Sequence, residues 1–296
     1  MNKEGITVAG NLIADVVYTI DVYPQKGNLT RMRNPVVHTG GINNLIIDLA
    51  RLDSKIPIKV SGVVGDDENG QFIVDSLREY PNINIEGIVK KGRTAVTFAM
   101  TEKESKQRTF FFDPGTSLEF NEKQIDFKKI KADIFHLEYL LLLGTLDQPD
   151  EDYGTKAAKV LATAQKYEME TSVDMVSEEG NRYQKVVWPA LKYTDYCVVN
   201  EVEGTGVTGI QLYDKDGIKE ENMRKGLEKL KELGVKKWAI IHSPACGYGL
   251  NCQTGEFVKV PSFKLPKGFI KGTTGAGDAF CSGVLYAAYQ RESIEK

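Results

Sequence analysis

Short apolar runs that read as buried strands alternate along this chain with stretches whose apolar residues recur at helical spacing. That alternation limits the fold more than any other feature. Residues 6–9 (ITVA) give a short apolar strand pattern that opens into Gly10 and Asn11 and then reaches Asp15. Gly40 and Gly41 precede NNLIIDLARL, a helical pattern; IKVSGVVG then reads as strand and turn, and GQFIVDSLREY as a second helix. Repeated strand-to-helix change predicts a three-layer α/β architecture. Further on, ADIFHLEYLLLLG and YEMETSVDMV suggest core strands around the helix candidate YGTKAAKVLATAQKY. YCVVNEVEG puts Asn200 and Glu203 just beyond an apolar strand, ENMRKGLEKLKELG is a helix closed by Gly234, and VKKWAIIHSPACG returns to strand and turn. The 296 residues, 41% of them hydrophobic and 27% charged, suffice for one large α/β domain or two modest ones. No low-complexity linker or internal repeat divides them, so residues 1–296 are read as one domain.

The middle of the chain has a different period. INIEGIVKKGRTAVTFAMTEKESKQRTFFFD alternates β-branched and aromatic residues around a charged turn, which predicts a hairpin or part of a small sheet. With residues 16–36, the segment 93–112 is expected to cover a cleft on the larger core; a solvent-facing sheet extension is the alternative. Within it, Arg93 and Arg108 are candidates for an anionic ligand or for surface ion pairs. Phe110, Phe111 and Phe112 suit a water-excluding cover, the small sheet's own packing or a dimer interface.

Charge and composition exclude several classes. A formal charge of −3 and a pI near 5.8 give no broad attraction to nucleic acid or acidic lipid. Cys197, Cys246, Cys252 and Cys281 form no CxxC pair, and only His38, His136 and His242 supply imidazoles, so a structural zinc site is disfavoured and reduced, separate thiols are expected. The opening MNKEGITVAGNLIADVVYTI lacks a secretory pattern, and no apolar run reaches membrane-spanning length. A cytoplasmic location, without membrane or nucleic-acid partners, is the expectation.

KGTTGAGDAFCSG, residues 271–283, sets four glycines beside Asp278 and leads into DAFCSGVLYAAY, an apolar helix pattern. Glycines let backbone amides approach an anion, and a helix start adds N–H donors, so Gly275, Ala276 and Gly277 suit a phosphate. A structural tight turn explains the glycines equally well. Asp278 either caps the helix or accepts the proton of a hydroxyl attacking phosphorus.

In this setting TTGAGDAF, residues 273–280, resembles the signature of the ribokinase-like sugar kinases, the PfkB carbohydrate kinase family. HTGGINNLIIDLARL, beginning at His38, resembles the family's glycine-rich substrate motif, and NEVE, residues 200–203, its metal and phosphate motif. The three occur in the family's order over almost the whole chain. The resemblance implies a ribokinase-like three-layer core, with a central mainly parallel sheet and a small β-sheet lid, and ATP-dependent phosphorylation of a sugar-like alcohol. It carries the catalytic-base role onto Asp278, the anion hole onto Gly275, Ala276 and Gly277, and substrate contacts onto Asp15, Gly40, Gly41 and Asn44. Asn200 and Glu203 resemble residues that organise hydrated Mg2+, with direct metal ligands unassigned; without the family context they read as a turn residue and a solvated carboxylate. His242 and Gly247 fall in a nucleotide-side segment, and a homodimer through the lid is a further expectation.

Two segments depart from the family pattern. Gly272 replaces the acidic residue before the two threonines. In HSPACG, His242 and Pro244 occupy the expected threonine and first glycine of a T-x-G-x-x-G segment, which predicts altered adenine or ribose contacts. The family pattern continues past the glycine-rich helix into a segment that helps finish the nucleotide pocket; if Lys296 is the natural end, weaker nucleotide binding or a need for another subunit is expected. Alongside a sugar kinase, a nucleoside kinase and a noncatalytic carbohydrate- or nucleotide-binding regulator are the competing readings. GNLIAD after the first strand lacks the glycine fingerprint of a dinucleotide-binding turn.

Overall fold

The computed structural model describes residues 4–266, 268–270 and 274–296; Gly272 and Thr273 lie outside them. The strands are β1 (Ile6–Ile20), β2 (Met32–Gly41), β3 (Ile58–Val64), β4 (Ile83–Lys90), β5 (Ala95–Glu102), β6 (Arg108–Asp113) and β7 (Ile134–Leu140). They continue as the two-residue pair β8 (Pro149–Asp150) and β9 (Gly154–Thr155), then β10 (Glu170–Met175) and β11 (Tyr196–Asn200). A second short pair, β12 (Tyr213–Asp214) and β13 (Gly217–Ile218), precedes β14 (Trp238–His242), β15 (Cys246–Asn251) and β16 (Phe257–Pro261). The helices are α1 (Ile42–Leu52), α2 (Glu68–Arg78), α3 (Lys156–Lys166), α4 (Tyr183–Leu191), α5 (Glu201–Thr208), α6 (Glu220–Leu233) and α7 (Ala276–Gln290).

The central sheet runs β16-β15-β14-β11-β10-β7-β1-β3-β4, parallel from β14 to β4 and antiparallel only at β15 and β16. Both faces are covered, which is why strands such as β7 and β11 are near-continuous apolar runs. One face packs Leu161, Val187, Val207 and Leu227 of α3 to α6 into a core. The other packs Leu45 and Leu49 of α1, Ile73 of α2 and Leu285 of α7. Each such fully buried leucine or isoleucine contributes about 1.5–3 kcal/mol. The expected three-layer α/β, ribokinase-like architecture is the one observed.

Two expectations change. The strand read as residues 6–9 runs on to Ile20, because VVYTI keeps a strand's β-branched character beyond Asp15. Its first part, Ile6–Asn11, lies in the central sheet, while its second part pairs with β2 antiparallel and β5 parallel. β6 joins β5, so β2, β1, β5 and β6 form a smaller sheet beside the core. The stretch 83–90, grouped above with the hairpin, is instead the parallel edge strand β4 of the central sheet, with Ile83 buried. The hairpin begins at Ala95. All four cysteines are buried and free.

Candidate active site

In open α/β sheets ligands bind beyond the carboxyl ends of the parallel strands. Here those ends carry polar side chains out of apolar strands: Asn11 on β1, Glu138 on β7, Asp174 on β10, Asn200 on β11 and His242 on β14. Register sets Glu138 opposite Gly10 and Asn200 opposite His242.

The start of α7 meets this edge. Gly275, at φ 79°, is its N-cap, in a left-handed conformation that glycine adopts without strain, and Ala276, Gly277 and Asp278 form its first turn. The amides of such a turn have no intrahelical carbonyl to donate to. Asp278 is 9% exposed and both its oxygens are held. Asn44 of α1 donates its Nδ2–H to Oδ2 at 2.8 Å, and the Tyr139 hydroxyl donates to Oδ1 at 2.6 Å.

Two cavities flank this turn. The larger, about 790 Å3, is lined by Asp15, His38, Asn44, Arg108, Thr274 and Gly275 among others. The smaller, about 440 Å3, is more apolar and includes Gly247, Tyr248, Phe263, Phe280 and Val284. Ala279 lines both, so the first turn of α7 is the wall between them. Arg108, at the start of β6, spans the larger cavity and donates to the Thr274 hydroxyl. Arg93, the other arginine of interest, is instead paired with Asp113.

The remaining sequence candidates fall into three groups. Asp15 stands opposite His38 across the β1–β2 pair, and burial, with Asp278 nearby, raises its pKa despite a hydrogen bond from Thr97. Gly40 makes room for that carboxylate: a Cβ there would lie 2.5 Å from Asp15 Oδ2. Gly41 is the N-cap of α1. Asn200 and Glu203 form a capping box on α5, with Asn200 Oδ1 accepting from the amides of Val202 and Glu203. Glu203 accepts from the Asn200 amide at 2.9 Å, from Asn200 Nδ2 at 2.7 Å and from Ser177 at 2.9 Å, and burial still pushes its pKa up to about 7. His242 packs against Phe280 with ring centroids 4.7 Å apart and the rings tilted by 32°, and burial lowers its pKa to about 4, so it is neutral at pH 7.

Sequence reasoning did not single out Glu138, Tyr139 or Asp174, although a glutamate inside IFHLEYLL and an aspartate inside ETSVDMV are the available signals. Glu138, Asp174 and Asp278 each offer a carboxylate oxygen within 4.8 Å of the others. Burial, then Asp278, drives the Glu138 pKa well upward; burial, then Glu203, Glu138 and Asp278, does the same for Asp174. His136 contacts Glu138 Oε2 at 2.8 Å and Ser172 at 3.0 Å through its two ring nitrogens, and burial lowers its pKa to about 3. With burial opposing both charges, the His136–Glu138 contact is a neutral hydrogen bond rather than an ion pair. Glu138 Oε1 is buried with no partner among the described residues.

Known proteins are similar to this chain in sequence and in fold. "Probable fructokinase-7" of Arabidopsis thaliana is 28% identical over 277 residues, covering 90% of this chain and 75% of that protein. A ribokinase from Thermotoga maritima superposes with a TM-score of 0.77 at 21% identity, covering 98% of this chain and 87% of that one. A fructokinase from Xylella fastidiosa with bound ATP gives 0.73 at 21% identity, over 98% and 83%. The description "pfkB family carbohydrate kinase" matches residues 4–296, essentially the whole chain, and the chain therefore belongs to that kinase family.

Proposed function

We propose that this protein transfers the γ-phosphoryl group of ATP to a hydroxyl of a sugar, with Asp278 as general base. The observation that carries this reading is the position of the first turn of α7, between a polar cavity and a more apolar one, with both Asp278 oxygens fixed. A sugar in the larger cavity meets Asp15 and Asn44, whose oxygen and amide suit a hydroxyl-rich ligand; Gly40 and Gly41 let β2 and α1 approach it. The adenine of ATP, in the smaller cavity, lies against Phe280 and Gly247, with His242 close by as a neutral ring. ATP as the donor accords with the ATP bound in the Xylella fastidiosa fructokinase.

Phosphoryl transfer is mainly a matter of alignment and charge stabilisation. Asp278 takes the acceptor's proton as its oxygen bonds to phosphorus and the bond to ADP breaks. Backbone amides of Gly275, Ala276 and Gly277 receive the charge on the moving phosphoryl oxygens. The small sheet covers the larger cavity and limits water there. Carboxylate oxygens on Glu138 and Asp174 are the hard donors that would hold Mg2+, and the capping pair Asn200 and Glu203 would contact it through water. Bound there, Mg2+ supplies screening of the phosphate charge. Exposed apolar residues Met32 and Val36 on β2 and Phe110 and Phe111 on β6 support a homodimer through the small sheet, which sedimentation tests.

The test is an ATP/Mg2+ phosphorylation screen over hexoses, pentoses and nucleosides. A phosphorylated sugar supports the reading, a phosphorylated nucleoside moves the acceptor class, and binding without transfer across the screen refutes it.

A further inference from the structure

A general base needs one oxygen presented to its substrate and the rest of the group held still. The two oxygens of Asp278 are held from different directions. Oδ2 accepts from Asn44, which lines the larger cavity, and lies 3.9 Å from the point where a Cβ on Gly275, another lining residue, would sit. Oδ1 accepts from Tyr139, which lies at the end of β7, immediately after Glu138 and among the buried carboxylates. The two contacts differ in what they belong to. One is part of the cavity wall and the other is part of the sheet.

We infer that Tyr139 is a positioning residue for phosphoryl transfer: its hydroxyl anchors Oδ1 of Asp278 so that Oδ2 is the oxygen presented to the acceptor. This rests on the kinase reading proposed above. Asp278 sits on the first turn of a helix, and its carboxylate is free to rotate about χ2 unless something outside the helix holds it. Asn44 holds Oδ2 alone and does not fix that rotation when an acceptor competes for the same oxygen. A phenol on a central strand does. Tyr139 is suited to this because its phenolic hydroxyl, 2.6 Å from Oδ1, is a donor at neutral pH. The β7 residues around it are paired, Glu138 with Gly10 of β1, and Leu137 and Leu140 with Val173 and Met175 of β10. A water in the place of that hydroxyl would satisfy Oδ1 equally well but would bring a competing nucleophile within reach of the phosphoryl group.

The test compares Tyr139→Phe and Tyr139→Leu with the unmodified chain. Initial rates with ATP and the sugar acceptor, ATP hydrolysis without acceptor, and thermal stability are measured for each. The expected Tyr139→Phe result is a fall in kcat of about 10- to 100-fold with both KM values within about twofold, since orientation and not binding is lost. Hydrolysis without acceptor should rise relative to transfer, and Tm should hold. Tyr139→Leu should lose the same kcat and also stability, separating the ring's packing from its hydroxyl. Retention of kcat within about twofold by Tyr139→Phe would overturn the proposal. So would transfer and hydrolysis falling in equal proportion, or failure of Tyr139→Phe to fold, since each makes the role structural. If the unmodified chain transfers phosphate to no acceptor, the kinase reading falls and takes this proposal with it. Full activity in Tyr139→Phe leaves that reading standing and removes only the anchor.

Discussion

Gly40→Ala is the smallest change that tests whether the Asp15 carboxylate meets the acceptor. The glycine has an ordinary backbone conformation, so alanine adds one methyl group without backbone strain. That methyl carbon would lie 2.5 Å from Asp15 Oδ2 and 2.6 Å from both Cγ and Oδ1. Ordinary contacts lie near 3.5 Å, so the carboxylate must retreat by about 1 Å. It has somewhere to go, because it lines a cavity rather than a packed core. The cost to folding is therefore small, near the lower end of the roughly 1–3 kcal/mol seen for overpacked sites. The cost to the acceptor is larger: a displacement of about 1 Å in a positioning group is worth up to about 100-fold in rate. Steady-state kinetics of Gly40→Ala should show kcat/KM for the sugar reduced about 10- to 100-fold, with KM for ATP unchanged and the Tm within a few degrees. An unchanged kcat/KM for the sugar would refute the assignment of Asp15 to the acceptor site.

Two further predictions concern the buried titratable groups. Burial raises the Glu138 pKa well above its ordinary value, so in EDTA Glu138→Gln should leave stability within about 1 kcal/mol, whereas Glu138→Ala opens a cavity and orphans His136 Nε2, costing about 2–4 kcal/mol by urea unfolding; an equal loss in both variants would contradict the burial argument. His242 has a pKa lowered from 6.5 to about 4 in the folded protein, so the unfolded chain binds its proton first as the pH falls. The stability this residue contributes is complete above pH 6.5 and lost as the pH drops towards 4, by at most about 3 kcal/mol. Urea titrations at pH 7 and pH 5 should show a shallower decline for His242→Gln, and identical slopes would contradict the burial argument.

The alternation of strand and helix made the three-layer core legible because strands covered on both faces are mostly apolar, as YCVVN is before Asn200 and IFHLEYLLLL is apart from His136 and Glu138. The full extent of β1 was less legible. Its passage from one sheet to another depends on which strands pair beside it, and nothing local in VVYTI records that. The edge strand β4 was misgrouped for a related reason: INIEGIVK has the composition of either sheet, and the parallel neighbour β3 decides. Asp278 and the glycines before it could be read because their spacing is local to a single helix start. Glu138, Asp174 and Tyr139 could not, because they gain their chemistry from strands 30 to 140 residues apart in the chain converging on one edge. Asn200 and Glu203 show the reverse. Their short spacing makes a helix cap with Glu203 buried, where the sequence suggested a turn residue and a solvated carboxylate beside the metal-associated role.

Proton removal by Asp278 is the claim on which the rest depends, and Asp278→Asn tests it most directly. The amide keeps the shape of the side chain and accepts hydrogen bonds from Tyr139 or Asn44 through one oxygen, but it cannot take a proton. Single-turnover transfer from ATP to the sugar should slow by about 100- to 10,000-fold in this variant while binding of both substrates persists. Transfer at the rate of the unmodified protein, with the fold intact, would contradict the account.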